Sequence, residues 1–246
     1  EDQDFWRLSG IARGVELTAR DKAHLQDVRI TPALDGEYRD AQLRVELETT
    51  PRVKRVDLTL RDAAGRSVAT QSVRISGGKG DYTFEVADPA KWTAETPNLY
   101  TLEMAVSDGS RTTETVTETV GFRSVEIRDA QLLVNGQPIL IKGADRHEMD
   151  PLGGYVVSRE RMIEDIRIMK ELNINAVRTC HYPDDPIWYD LCDRYGIYVL
   201  DEANVESHGM GYGDRTLAAN PLFAKAHLER NMRMVLRDKN HPSVII

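Results

Sequence analysis

Between about residues 38 and 122, apolar and polar positions alternate with period two. Leu43, Val45 and Leu47 interleave with Arg44, Glu46 and Glu48, and Val56, Leu58 and Leu60 repeat the pattern. Tyr82, Phe84 and Val86 follow, then Tyr100, Leu102, Met104 and Val106. Successive side chains of a strand point to opposite faces, so each run predicts a strand with one buried face. The turn-forming stretches DAAG (62–65), SGGKG (76–80) and SDGS (107–110) separate the runs. About seven short strands at such spacing predict an antiparallel β-sandwich of immunoglobulin-like type. No cysteine pair bridges it, and nothing in it suggests catalysis, so a scaffold is expected.

After Gly121 the rhythm changes. LLVNGQPILI (132–141) predicts a hairpin with Asn135-Gly136 in a tight primed turn, its second arm running on into KGADRHE. Ser158 is placed to cap a helix with Met162, Ile163, Ile166, Met169 and Leu172 as its inner stripe. Strand INAVR (174–178) follows. Asp185 then caps a helix with Pro186 at its first position, Ile187, Leu191 and Tyr195 on its apolar face, and Gly196 as its stop. Strand IYVL (197–200) comes next, then a loop, a helix from Asn220-Pro221 to about Lys239, and SVII as the start of another strand. Alternating strands and helices predict a parallel sheet. The polar clusters DRHE, TCHYP and DEANVESHG each follow a strand, where a (β/α) barrel assembles its active site. A doubly wound nucleotide-binding sheet is disfavoured, because no GxGxxG and no Walker lysine pattern opens these helices.

Composition narrows the partners. The 246 residues are 41% hydrophobic and 29% charged, the balance of a globular protein. A net charge of −8 without a basic tract argues against nucleic acid, and no apolar stretch approaches the roughly 18 residues of a membrane span. Cys180 and Cys192 fall inside regular elements and are expected as buried free thiols, which leaves the compartment open. The chain begins at EDQDFW and stops within the apolar run HPSVII, so a piece of a longer protein is expected.

The strand-end clusters hold the candidate chemistry. Glu206 and His208 are two apart, so in an extended segment both side chains face one way and can share a divalent cation. A carboxylate with an imidazole suits Mg²⁺ or Mn²⁺ better than a tight zinc site; an exposed loop pair is the alternative. His147 and His181 end neighbouring strands and can converge on one substrate, or serve as satisfied structural histidines. Arg178, inside a strand, needs an acidic partner, either as a structural ion pair or to orient a catalytic carboxylate.

NGQPILIKGADRHEMDP, NAVRTCHYP, WYDLCDRYGIYVLDEANVESHG and RDKNHPSVII, in this order, resemble β-galactosidases of glycoside hydrolase family 2. DQDFWRLSGI resembles the end of that family's sugar-binding jelly roll, and KWTAETPNLYTLEM its immunoglobulin-like domain. The resemblance implies a jelly-roll end over 1–31, a sandwich over 32–122, and the first half of a truncated (β/α)8 TIM barrel over 123–246. DEANVESHG favours galactosidase over the glucuronidase and mannosidase branches.

By position, the resemblance makes Glu206 and His208 ligands of an active-site Mg²⁺, and His147 and His181 contacts to the galactosyl group. Arg178 matches the arginine that orients the nucleophilic glutamate. Asp4 matches an aspartate near the sugar's 6-hydroxyl that also belongs to a Na⁺ site. Asp145 stands where asparagine is common, and Ala12 replaces a usual aromatic. The implied reaction is retaining hydrolysis of terminal β-galactosides by two glutamates, both expected beyond residue 246. The chain alone is therefore expected to be inactive, and to form a homo-oligomer through the exposed edges of a half barrel. The rival readings are a metal-dependent hydrolase of another class and a non-catalytic carbohydrate-binding module.

Overall fold

A computed structural model describes Trp6 and residues 8–246. It divides into two compact units: residues 16–140 with 240–242, and residues 141–239 and 243–246 with the N-terminal residues up to 15.

The first unit is a sandwich of antiparallel sheets. Its strands are β1 (Leu25–Leu34), β2 (Ala41–Thr49), β3 (Arg55–Arg61), β4 (Ser67–Arg74), β5 (Lys79–Val86), β6 (Tyr100–Ser107) and β7 (Thr112–Val120). One sheet has the order β1-β2-β5 and the other β4-β3-β6-β7. The alternation seen in the sequence is the packing pattern: Leu43, Val45, Leu47, Val56, Leu58, Leu60, Leu102, Met104 and Val106 are all buried. Each such side chain contributes about 1.5–3 kcal/mol through its burial. Strand β1 pairs with β2 from Leu25 onward, so the boundary expected at 31/32 falls inside a sandwich strand.

A three-stranded meander follows, with β8 (Val125–Arg128), β9 (Gln131–Val134) and β10 (Gln137–Pro138). By its contacts it groups with the first unit. The Asn135-Gly136 turn forms as predicted, with φ of 51° and 74°. Gly136 serves packing as well as the turn, since a Cβ there would lie 2.3 Å from the Tyr38 ring. The second arm does not run on; it ends at Pro138, and a separate strand starts at Gly143.

In the second unit, β11 (Gly143–Arg146), β12 (Ala176–Thr179) and β13 (Tyr198–Leu200) form a parallel sheet in that order. Helices α1 (Arg159–Glu171) and α2 (Pro186–Tyr195) connect the strands. Ser158 Oγ caps α1 by accepting from Arg161 N at 3.2 Å, and Asp185 Oδ1 caps α2 by accepting from Ile187 N at 2.9 Å. Gly196 ends α2 at φ 76°. Beyond β13, Val199 makes an isolated parallel bridge to Val244; the strand expected over SVII is not formed beyond that bridge.

Two helix faces differ from expectation. In α1 Met162, Ile166 and Met169 are buried, but Leu172 follows the helix end and is 67% exposed. In α2 the buried stripe is Trp188, Leu191 and Cys192 with Tyr189, while Ile187 and Tyr195 lie at its exposed margin. The largest aromatic recentres the face. The last helix, α3 (Ala224–Asp238), starts later than Asn220, which instead caps a short 3-10 turn over Pro221–Phe223. No helix among the described residues is long and apolar enough to cross a membrane.

Candidate functional site

The pleat of the parallel sheet sorts its polar residues. Val177 and Val199 pack against α1 and α2 around Met162, Ile166 and Trp188. Asp145 and Arg178 are register partners, and they line a concavity of about 350 Å³ together with Ile141, Leu200 and the flanking strand residues Gly143, Ala144, Ala176 and Val177. Arg146, one residue on from Asp145, is turned back toward the helices, where it pairs with Asp165 and Asp184.

A polar cluster forms where the strands end. Arg178 Nε lies 2.8 Å from Glu202 Oε2, and Nη1 lies 3.3 Å from Asp145 Oδ1. His181 Nδ1 is 3.1 Å from both Arg178 Nη2 and Glu202 Oε1. That nitrogen can accept from the guanidinium or donate to the carboxylate, so its proton selects the partner. His147 meets His181 edge to face, with ring centroids 5.5 Å apart. Glu202 N in turn donates to Thr179 Oγ1 at 3.0 Å, tying the loop after β13 to β12.

A buried polar layer supports this cluster. Arg146 Nη1 donates to Asp184 Oδ2 at 2.7 Å, and its guanidinium lies 3.9 Å over the Trp188 ring. Glu148, 5% exposed, accepts from Asp185 N at 2.6 Å and pairs with Arg13, which also donates to Pro183 O at 2.8 Å. Tyr189 O–H donates to Asp201 Oδ1 at 2.6 Å. Burial pushes the Asp184 carboxyl up to about 7, against the pull of Arg146. Burial likewise pushes Asp201 up to about 6, with the Tyr189 hydroxyl opposing and the neighbouring Asp238 adding to the rise.

Both acids therefore hold their protons more tightly in the folded chain than in the unfolded one. A raised folded value means stability is full below about pH 4 and is lost as pH rises through about 6 and 7. Urea unfolding at pH 5 and pH 8 is expected to show this loss, amounting to a few kcal/mol, and Asp184→Asn is expected to flatten most of it. An unchanged slope in Asp184→Asn would remove Asp184 as its source.

The sequence candidates separate into two places. His147, His181 and Arg178 meet at the strand ends. Arg178 is not buried, its side chain being 40% exposed, and it has two acidic partners. Glu206 and His208 lie on the loop after β13, and the expected extended geometry stops short. His208 opens a 3-10 turn, and its backbone N–H donates to Glu206 Oε1 at 2.9 Å. The His208 ring nitrogen Nε2 lies 3.0 Å from the Tyr212 hydroxyl. Asp4 lies outside the described residues. Glu202 was missed as a partner of Arg178 and His181; its place directly after a strand, beside Asp201, was the available signal. Cys192 and Cys180 are both buried free thiols.

Comparison with known proteins adds two kinds of likeness. Residues 23–123 match the model described as glycosyl hydrolases family 2, and residues 125–246 match that of the glycosyl hydrolases family 2 TIM barrel domain. A β-galactosidase of Photobacterium profundum is 46% identical over 258 aligned positions, covering 100% of this chain and 25% of that relative. One from Alteromonas mediterranea is 45% identical with the same coverage. The chain thus spans about a quarter of the length of the curated relatives it matches. Among solved structures, a Bifidobacterium dentium β-glucuronidase complexed with coumarin-3-O-glucuronide aligns with TM-score 0.81 at 29% identity, over 90% of this chain and 36% of that one. A Ruminococcus gnavus β-glucuronidase in complex with D-glucaro 1,5-lactone gives 0.79 at 31% identity, over 90% and 36%.

Proposed function

The chain belongs to glycosyl hydrolase family 2, and from that premise we propose that it is part of a retaining β-galactosidase. On this reading the sandwich is the family's immunoglobulin-like domain, the residues before it end a jelly roll, and the parallel unit opens a (β/α)8 barrel. The two catalytic glutamates belong to later parts of the barrel. The observation that carries the reading is the convergence of His147, His181, Arg178 and Glu202 at the ends of parallel strands, where barrel enzymes bind substrate. Galactoside is preferred over glucuronide because relatives named β-galactosidase match the whole chain at 45–46% identity, against 29–31% for the β-glucuronidase structures.

In this site His181, held at Nδ1 by Glu202, presents its other nitrogen to a sugar hydroxyl. His147 packs edge-on against it and limits its rotation. Arg178 already bridges Asp145 and Glu202, and orients the nucleophilic carboxylate as a further partner. Fixed donors and charges of this kind need no reorganisation when charge develops in the transition state.

Glu206 and His208 would hold Mg²⁺. Glu206 Oε2 is buried and accepts no hydrogen bond among the described residues, an oxygen that a cation satisfies. An ion held by these residues would supply positive charge to the site. Asp4 is the Na⁺ and 6-hydroxyl residue of the same reading.

The test uses the longer enzyme that contains this chain. Turnover of an aryl β-galactoside is expected to exceed that of the matching β-glucuronide by several orders of magnitude, and Glu206→Gln is expected to raise the Mg²⁺ concentration needed for half activity by about 10–100-fold. Faster glucuronide turnover sinks the substrate assignment. An unaltered Mg²⁺ requirement in the variant sinks the metal assignment.

A further inference from the structure

The strand-end cluster contains one group that the galactoside reading leaves idle. Cys180 is 1% exposed, and its sulfur stands with a ring nitrogen of His147 and one of His181 such that all three atoms lie within 4.8 Å of one another. From this geometry we infer that His147, Cys180 and His181 form a binding site for a borderline-soft divalent cation, with Zn²⁺ the best fit.

Ligand chemistry selects the metal. Two imidazoles and a thiolate suit Zn²⁺ and exclude Mg²⁺ and Ca²⁺, which require oxygen. Around tetrahedral zinc, with Zn–N of about 2.0 Å and Zn–S of about 2.3 Å, ligand atoms stand roughly 3.3–3.6 Å apart. The three ligand atoms, within 4.8 Å of one another, stand at most about 1.5 Å outside that spacing.

The surrounding charges favour a cation. The carboxylates of Asp145 and Glu202, both paired with the guanidinium of Arg178, stand beside the cluster, two negative groups against one positive. Glu202 Oε1 stands 3.1 Å from His181 Nδ1, the carboxylate–histidine arrangement that orients a metal-bound imidazole through its second nitrogen. Three protein ligands leave the fourth position to water. An ordinary thiol carries its proton at neutral pH, and only the thiolate ligates a metal. Each Zn²⁺ bound therefore forms one Zn–S bond and releases one proton to solvent.

His147 and His181 are also the residues assigned to the sugar. Zn²⁺ should then exclude galactoside, a consequence that rests on the galactosidase reading, whereas the binding itself does not.

Binding is tested on this chain. Calorimetric titration of its Glu206→Gln variant, which removes the carboxylate ligand of the other cation site, with Zn²⁺ in two buffers of different ionisation enthalpy is expected to give one ion bound and one proton released. Co²⁺ in place of Zn²⁺ should give a thiolate-to-cobalt charge-transfer band. Cys180→Ser should abolish that band and weaken Zn²⁺ by ~100-fold or more, and His147→Gln should weaken it by a similar factor. Circular dichroism of each variant separates ligand loss from unfolding. A wild-type chain without the band, or Cys180→Ser with undiminished Zn²⁺ affinity, overturns the site. In the longer enzyme, Zn²⁺ inhibition should be competitive with galactoside. Tight Zn²⁺ binding through Cys180 without competition would leave the metal site standing and instead overturn the sugar-binding role of the two histidines.

Discussion

Arg146→Met is expected to destabilise the parallel unit by about 3–5 kcal/mol at pH 8. Arg146 is 6% exposed and its partner Asp184 fully buried, so removing the guanidinium strands a carboxylate that water cannot reach. Asp165 loses a second contact at 3.2 Å. Methionine keeps much of the packing over Trp188, so the loss reports charge more than volume. The cost should shrink toward pH 5, because Asp184 takes up a proton readily in the folded chain. The double variant Arg146→Met/Asp184→Asn should recover most of it, since it removes both charges together. Urea unfolding followed by tryptophan fluorescence gives all three values. A loss under about 1 kcal/mol at pH 8 would show that Asp184 finds another partner or water.

His181→Phe in the longer enzyme is expected to lower kcat and kcat/KM together, by about 10²–10³. Phenylalanine keeps a flat ring against His147 but removes the nitrogen held by Glu202 and the one that the proposed function assigns to the sugar. If that contact strengthens as the transition state forms, KM should change little. A rise in KM with kcat intact would instead mean that substrate and transition state are bound equally. Glu202→Gln supplies the control, because it leaves the imidazole in place while weakening its orientation. A drop intermediate between wild type and His181→Phe is expected; no change would deny Glu202 its positioning role.

Much of the sandwich could be read from alternation, because one buried face per strand imposes period two on the sequence. Strand β1 escaped for a physical reason. Its pairing slips between Leu25 and Asp27, so Leu25, Val28 and Ile30 do not keep one phase. The helix caps at Ser158 and Asp185 were legible because capping depends on residues adjacent in sequence. The apolar face of α2 was not, since which flank is covered depends on what packs there, and Trp188 lies beneath Arg146. At the site, the histidines and Arg178 could be found because polar residues at strand ends stand out against apolar runs. The partnerships of Glu202 with His181 and of Arg13 with Glu148 could not. They follow from spatial neighbours 21 and 135 positions apart, which only the fold brings together.

The pleat of the short parallel sheet divides labour between adjacent codons. The Arg146 side chain answers to the helices, while Asp145 and Arg178 answer to whatever enters the concavity. Selection for a new ligand can therefore act on every second residue without disturbing foldability, and selection for robustness can act on the residues between. The two searches run along the same few strands and interfere little with each other. A protein arranged in this way can change its chemistry gradually while its scaffold stays still.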